Sequence, residues 1–169
     1  MSNIGFTTRL KDVFEIECYD ENGKLLWRNS VKNLVVNAGL DDLLDKYFKG
    51  SGYTAAHYIG LTDGTPSFAA DDTMASHAGW SEMTIYSETT RPQAVWGAVS
   101  GQSVDNSANK AVYHITGSGT IGGLFLCTDN TKGGTSPTLY GGGAFTNGDK
   151  PVADGYTLHV QATASASAG

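Results

Sequence analysis

The stretch VFEIECYDENGKLLWRN, residues 13–29, determines the fold class. Its first half alternates between apolar and polar side chains: Phe14, Ile16 and Cys18 against Glu15, Glu17 and Tyr19. A repeat of two residues is typical of a strand with one buried face. The pair Asn22-Gly23 favours a tight hairpin turn, because both residues tolerate a positive φ. Residues 13–29 therefore predict an antiparallel β-hairpin.

Further strand patterns follow along the chain, separated by turns rich in Gly, Pro, Asn and Asp. The segment GYTLHVQATAS alternates most clearly, whereas TIGGLFLCT is apolar throughout and predicts a central strand with TLYGGGAFT as its neighbour. Shorter patterns occur in AHYIGLTDG, WSEMTIYS, QAVWGAVS and KAVYHIT. Together they predict an all-β fold, namely a two-sheet antiparallel β-sandwich that is jelly-roll or immunoglobulin-like. The pattern leaves the strand order undefined.

One helix interrupts the strands at NAGLDDLLDKYFKG, residues 37–50. Its apolar residues recur at helical spacing and form one stripe: Leu40, Leu43, Leu44, Tyr47 and Phe48. Asn37 suits the N-cap and Gly50 suits the position after the last turn. We expect a helix at about residues 38–49 whose apolar stripe covers an edge or a face of a sheet.

The chain of 169 residues fits a single domain. Residues 1–12 lack any periodicity and predict a flexible N-terminal arm, while residues 165–169 predict a short tail. The β-sandwich domain is expected to occupy residues 13–164.

The charge balance argues against two classes of partner. The net charge is −6, and the eleven Lys and Arg residues are scattered along the chain. Nucleic-acid binding depends on clustered basic residues, so it is not expected. A membrane partner is not expected either, because the sequence has no apolar stretch of about 20 residues and no basic amphipathic helix. The absence of a signal-peptide pattern at the N-terminus predicts folding in a cytoplasm.

Two cysteines, Cys18 and Cys127, each lie in an apolar strand pattern. Free cysteine packs as a small apolar residue, so two buried free thiols are expected. The alternative is a disulfide between them.

Residues 71–92, DDTMASHAGWSEMTIYSETTRP, contain the residue types of a catalytic or metal site. Ser76 and His77 are sequence neighbours, however, and adjacent residues on an extended segment point to opposite faces, which disfavours a Ser-His pair. The histidines have no metal-ligand spacing. No catalytic residue, metal ligand or cofactor is expected, and the chain is predicted not to be an enzyme. A calcium site at Asp63, Asp71 and Asp72 remains an alternative.

Glycines inside the predicted strands TIGGLFL and TLYGGGAF mark places where other groups approach the backbone closely. The expected neighbours are aromatic rings of the same domain, such as Phe125, Phe145 and Tyr140. Contact with a partner chain is the alternative.

The run AHYIGLTDGTPSFAADDTMASHAGWSEMTIYSETTRP, residues 56–92, resembles a family of small virion structural proteins of tailed bacteriophages. The similarity continues through SGQSVDNSANKAVYHIT, TIGGLFLCTDNTKGGTSPTLYGGGAFT and GYTLHVQATASA, and it covers roughly residues 13–164. Asp71 stands where the family pattern has glycine, which is a change in a turn.

The resemblance implies a head decoration (cement) protein on the outer surface of the virion head, made in the cytoplasm of the host bacterium. Its implied partners are the major capsid protein and further copies of itself as a homo-oligomer. We expect contacts from the arm and from the loop around residues 73–80: Phe6, Arg9, Leu10, Thr73, His77 and Trp80. An uninvolved tail and an ordinary loop are the alternatives for these segments. The alternative role is a tail, fibre or adaptor component with a protein- or glycan-binding β-domain, in which Trp80 beside Asp71 and Asp72 would form a glycan platform.

Overall fold

The computed structural model describes residues 8–53, 56–136 and 138–168. In this part of the chain, eleven strands and one short α-helix form an all-β sandwich of two antiparallel sheets. The strands are β1 (Thr8–Tyr19), β2 (Leu25–Lys32), β3 (Leu34–Val35), β4 (Tyr58–Asp63), β5 (Glu82–Met83), β6 (Ser103–Asp105), β7 (Ala111–His114), β8 (Gly119–Cys127), β9 (Leu139–Ala144), β10 (Lys150–Val152) and β11 (Thr157–Ala168).

The first sheet has the order β2-β1-β11-β6, and β7 also pairs with β11. The second sheet has the order β3-β9-β8-β4-β5, and β10 also pairs with β8. The predicted hairpin of β1 and β2 is confirmed, and so is the pairing of β8 with β9. Gly23 takes the left-handed conformation in the hairpin turn, at φ 75°, whereas Asn22 does not. The Asp20 carboxylate instead holds a longer turn by accepting hydrogen bonds from the backbone N–H groups of Asn22 and Lys24.

Both ends of the predicted domain differ from the sequence prediction. Strand β1 begins at Thr8, so residues 8–12 belong to the sheet and are not part of an arm. Strand β11 continues to Ala168, so residues 165–168 are not a tail. The reason is that the two ends pair with each other, from Thr8 opposite Ala168 to Tyr19 opposite Thr157. Such long-range pairing leaves no signal in either segment alone.

The main core lies between the two sheets. Strands β1 and β11 contribute the buried side chains of Phe14, Ile16, Leu158 and Val160 to it. The second sheet contributes buried side chains from β4 and β8: Ile59, Leu61, Ile121 and Leu124. The alternation that predicted the hairpin therefore defines which face of β1 meets the core.

A second apolar cluster covers the outer face of the second sheet: Val36, Met74, Trp80, Phe125, Cys127 and Leu139. This layer explains why β8 is apolar on both faces. The strand glycines make room for it, because a Cβ on Gly60 would lie 2.0 Å from the Phe125 ring and one on Gly142 would lie 2.1 Å from the Phe68 ring. Among the five glycines of TIGGLFL and TLYGGGAF, only Gly142 meets an aromatic ring, and that ring is Phe68 and not one of the three that were named. The expectation of aromatic neighbours is therefore wrong for the other four, which lie against Pro66, Asn33, Val31 or backbone atoms of the same domain.

The predicted helix is present, but its packing differs from the prediction. Helix α1 spans Asn37–Leu43 and continues as a π-helical turn over Leu44–Phe48, and Gly50 follows at φ 77°. The helix meets the sheet through Gly39, where a Cβ would lie 2.6 Å from the Tyr140 carbonyl oxygen. Much of the predicted apolar stripe remains exposed: Leu40, Leu44, Tyr47 and Phe48. The expectation that the stripe covers a sheet is wrong, because the helix makes its close approach through glycine.

The two cysteines are free and buried, as the sequence predicted. Cys18 lies in β1 and Cys127 lies in β8. Burial raises the pKa of Cys18 to about 12, with a smaller contribution from Asp20. A thiol with such a pKa is not a nucleophile at neutral pH.

Candidate interaction site

The loop between β4 and β5 folds around Trp80. The Trp80 side chain is 6% exposed, and its ring stacks on Phe68 with 4.9 Å between the ring centroids. Its indole Nε1–H donates to Asp72 Oδ2 over 3.0 Å, and the same carboxylate oxygen accepts from the Ala69 N–H. Trp80 and Asp72 therefore hold the loop on the sheet.

Thr73 and His77 lie on the outer side of this loop and are only partly buried. The backbone N–H of Ser76 donates to the Thr73 side-chain oxygen, which fixes a tight turn. The His77 ring stacks on Trp80 at 3.7 Å, and its Nδ1 lies 2.9 Å from the Trp80 carbonyl oxygen. Because a carbonyl only accepts, Nδ1 carries the proton and donates. These contacts hold Thr73 and His77 in fixed positions on the outer side of the loop.

The structure bears on two interpretations of this loop. The Trp80 side chain is only 6% exposed, so it does not form an exposed platform for a glycan, and its contact with a partner stays a prediction. The proposed calcium ligand Asp72 is already engaged by Trp80 and Ala69. Across the described ranges, no cluster of three or more His, Cys, Asp or Glu residues is placed to hold a metal ion.

A buried ion pair holds the segment that follows β8. Arg91 is 1% exposed, and its Nε and Nη2 donate to the two carboxylate oxygens of Glu82 over 2.9 and 2.7 Å. The guanidinium also donates to the carbonyl oxygens of Asp129 and Gly134, over 3.2 and 2.8 Å. Glu82 in turn accepts from the Gly133 N–H over 2.9 Å. The pair therefore joins β5 to residues 129–134.

A groove of about 880 Å³ lies between β1, the helix and residues 93–99. Leu10 and Asp12 of β1 form one wall, while Leu43, Lys46 and Tyr47 of the helix and its π-helical turn form another. The Asp12 carboxylate accepts from the Asn33 side-chain N–H over 3.0 Å. Burial raises the pKa of Asp12, and the Asn33 hydrogen bond opposes this shift. A carboxylate and an ammonium thus face the same apolar groove.

The groove floor is aromatic and internally hydrogen-bonded. Trp96 Nε1–H donates to His57 Nδ1 over 3.1 Å, and the His57 ring meets the Tyr140 ring edge-on at 4.9 Å. Tyr140 donates its hydroxyl proton to Asp42 Oδ2 over 2.6 Å. These contacts fix the shape of the floor.

The groove rim exposes large apolar side chains to solvent. Tyr47 is 79% exposed, Val99 76% and Tyr53 66%, and all three line the groove. Phe48 packs edge-on against Tyr47 and is 67% exposed. Exposed apolar surface is typical of interaction sites, and Tyr and Trp are typical interface residues.

The structure places the other predicted contact residues on two different surfaces. Leu10 lines the groove, and Arg9 is exposed on the opposite face of β1. Thr73 and His77 lie on the outer loop and do not line the groove. Phe6 lies outside the described residues.

Sequence reasoning missed most of the groove. The segment QAVWGAVS was interpreted as a strand, but residues 93–99 form only an isolated bridge at Gln93 and otherwise an irregular wall of the groove. Tyr53 and His57 carried no pattern that indicated a site. The apolar helix stripe was the available signal, because Tyr47 belongs to it.

His57 provides a pH test of the groove floor. Burial lowers the pKa of His57, while the charge of Asp42 opposes that shift. In the unfolded chain, the imidazole takes up a proton at an ordinary pKa of about 6.5. The native ring takes up its proton only at a lower pH, so protonation favours the unfolded chain. We expect the free energy of unfolding to fall as the pH drops below that value.

Urea titrations above and below this pH measure the effect. The variant His57→Gln is expected to show a shallower pH dependence over this range, because it cannot take up the proton. The matched control is His159→Gln, which removes a histidine on the polar face of β11 outside the groove. Equal slopes for His57→Gln and the unmodified chain would contradict the assignment.

The fold and the surfaces define this chain as a β-sandwich with an open apolar groove and a rigid outer loop. Comparison with known protein families and with curated proteins finds no match. No helix in the described ranges is long and apolar enough to cross a membrane.

Proposed function

We propose that the chain is a structural protein of a tailed-bacteriophage virion, namely a head decoration protein that binds the major capsid shell and stabilises it. The observation that supports an assembly role is the groove, where Tyr47, Tyr53 and Val99 remain exposed although the sandwich has a closed core of its own. Such a surface is suited to burial against another protein. The sequence resemblance over residues 13–164 supplies the virion context.

The outer loop is the proposed contact with the shell. Trp80 and Asp72 hold the loop in one conformation, so Thr73 and His77 bind without the entropy loss of ordering a mobile segment. A protein that binds only the assembled shell stabilises the shell by its binding free energy. Many small contacts of this kind reinforce boundaries between shell subunits.

The copy number in purified virions of the encoding phage tests this function. Quantitative mass spectrometry against the major capsid protein is expected to find hundreds of copies per particle, as a shell-covering protein requires. Six or twelve copies would contradict decoration and favour a tail, fibre or adaptor role. Absence from the particles would contradict the virion role altogether.

A further inference from the structure

The groove carries opposite charges on two of its walls. Asp12 lies on the β1 wall and Lys46 on the helix wall, and among the described residues neither side chain forms an ion pair. Asp12 is also held in surroundings that disfavour an isolated carboxylate, with the Asn33 amide as its hydrogen-bond donor. Both side chains would gain from a partner that supplies a cation opposite Asp12 and an anion opposite Lys46.

A second copy of the same chain meets this requirement by symmetry. In a two-fold contact the same patch is used on both molecules, so residue i meets residue j and residue j meets residue i. Rotating one groove onto another can therefore set each Lys46 opposite the other copy's Asp12. The exposed rim side chains of Tyr47, Tyr53 and Val99 would then be buried between the two copies.

We propose that this groove is the self-association surface of the protein, closed by a second copy about a two-fold axis with reciprocal Asp12–Lys46 pairs. The proposal rests on the assembly role proposed above but does not require a phage head. The apolar rim supplies the burial, and the charges select the two-fold orientation over other ways of covering the same groove.

Sedimentation velocity on the full chain at micromolar concentration measures the oligomeric state. A dimer is expected. Tyr47→Ser removes a ring that is 79% exposed, so the monomer fold is retained while dimerisation weakens by about tenfold or more. Leu26→Ser, at a 39% exposed apolar residue on β2 away from the groove, is the matched control and leaves the dimer unchanged.

Charge reversal tests the pairing itself. Asp12→Lys places two lysines in each groove and Lys46→Asp places two aspartates, so each variant alone is expected to be monomeric. Mixing the two variants restores both attractive pairs and should give a heterodimer. A pair formed within one chain could not produce this rescue, and near-ultraviolet circular dichroism verifies that each variant is folded.

A monomeric unmodified chain, a stoichiometry other than two, or a dimer unaffected by Tyr47→Ser would overturn the proposal, as would failure of two folded charge variants to combine. Its failure is distinguishable from failure of the proposed function. If the chain dimerises but is absent from virions, the self-association proposal holds and the proposed function fails. If the chain is abundant in virions but monomeric, the proposed function holds and the self-association proposal fails.

Discussion

Replacing Arg91 with methionine is expected to lower the free energy of unfolding by about 3–5 kcal/mol. The side chain is fully enclosed, and the Glu82 side chain that it pairs with is 9% exposed. Methionine occupies part of the space but leaves the Glu82 carboxylate without its counter-ion in a dry environment. The Gly134 carbonyl oxygen also loses the guanidinium donor, and the Asp129 carbonyl oxygen keeps only the Cys127 thiol. Urea unfolding followed by circular dichroism measures the loss.

The double variant Arg91→Met with Glu82→Met separates pairing from burial. It removes both charges, so we expect it to be more stable than Arg91→Met alone. Arg28→Met is the surface control, because the Arg28 side chain is 67% exposed in its ion pair with Glu17 and its loss should cost about 1 kcal/mol or less. An equal loss for Arg91→Met and Arg28→Met would show that the enclosed pair is not a structural link.

Replacing Trp80 with alanine is the second large effect, with an expected loss of about 3–5 kcal/mol. The substitution empties the space between Phe68, Phe125 and His77 and removes the indole donor to Asp72. Trp80→Phe keeps a stacked ring but loses the donor and part of the indole volume, so we expect a smaller loss of about 1–3 kcal/mol.

The matched control for the donor is Trp27→Phe. Trp27 donates its indole N–H to the Pro151 carbonyl oxygen at an exposed position, where water replaces the lost partner. Thermal and urea unfolding should therefore rank the loss for Trp27→Phe below that for Trp80→Phe. If Trp80→Ala left stability unchanged while abolishing binding to capsid shells, the assignment of Trp80 as a structural residue would be wrong.

The sequence predicted features that depend on local patterns. Phe14, Ile16 and Cys18 identified the buried face of β1, and Asn22-Gly23 located the hairpin turn. The glycines of β8 and β9 indicated close approach by other groups, although only Gly142 meets an aromatic ring. These signals are readable because each is contained in a short stretch and follows from backbone geometry.

The features that escaped prediction depend on contacts distant in sequence. No pattern within residues 8–12 predicts that Thr8 pairs with Ala168. Tryptophan is a residue type common at protein interfaces. Only the packing of the Trp80 ring between His77 and Phe125 shows that it is buried. Lys46 and Asp12 share a groove because the helix and β1 are neighbours in space, which their separate patterns do not indicate.

The pairing of β1 with β11 has a consequence for the order in which the chain acquires structure. The paired residues are separated by between 138 and 160 positions, so β1 gains this partner only when nearly the whole chain is available. At synthesis rates of about 5–20 residues per second, the edge of β1 that pairs with β11 stays unpaired for about 7–30 seconds. The β1–β2 hairpin can form early, but the first sheet closes last. Non-local pairing of this kind predicts folding in milliseconds to seconds after release, on the slow side for a domain of this size.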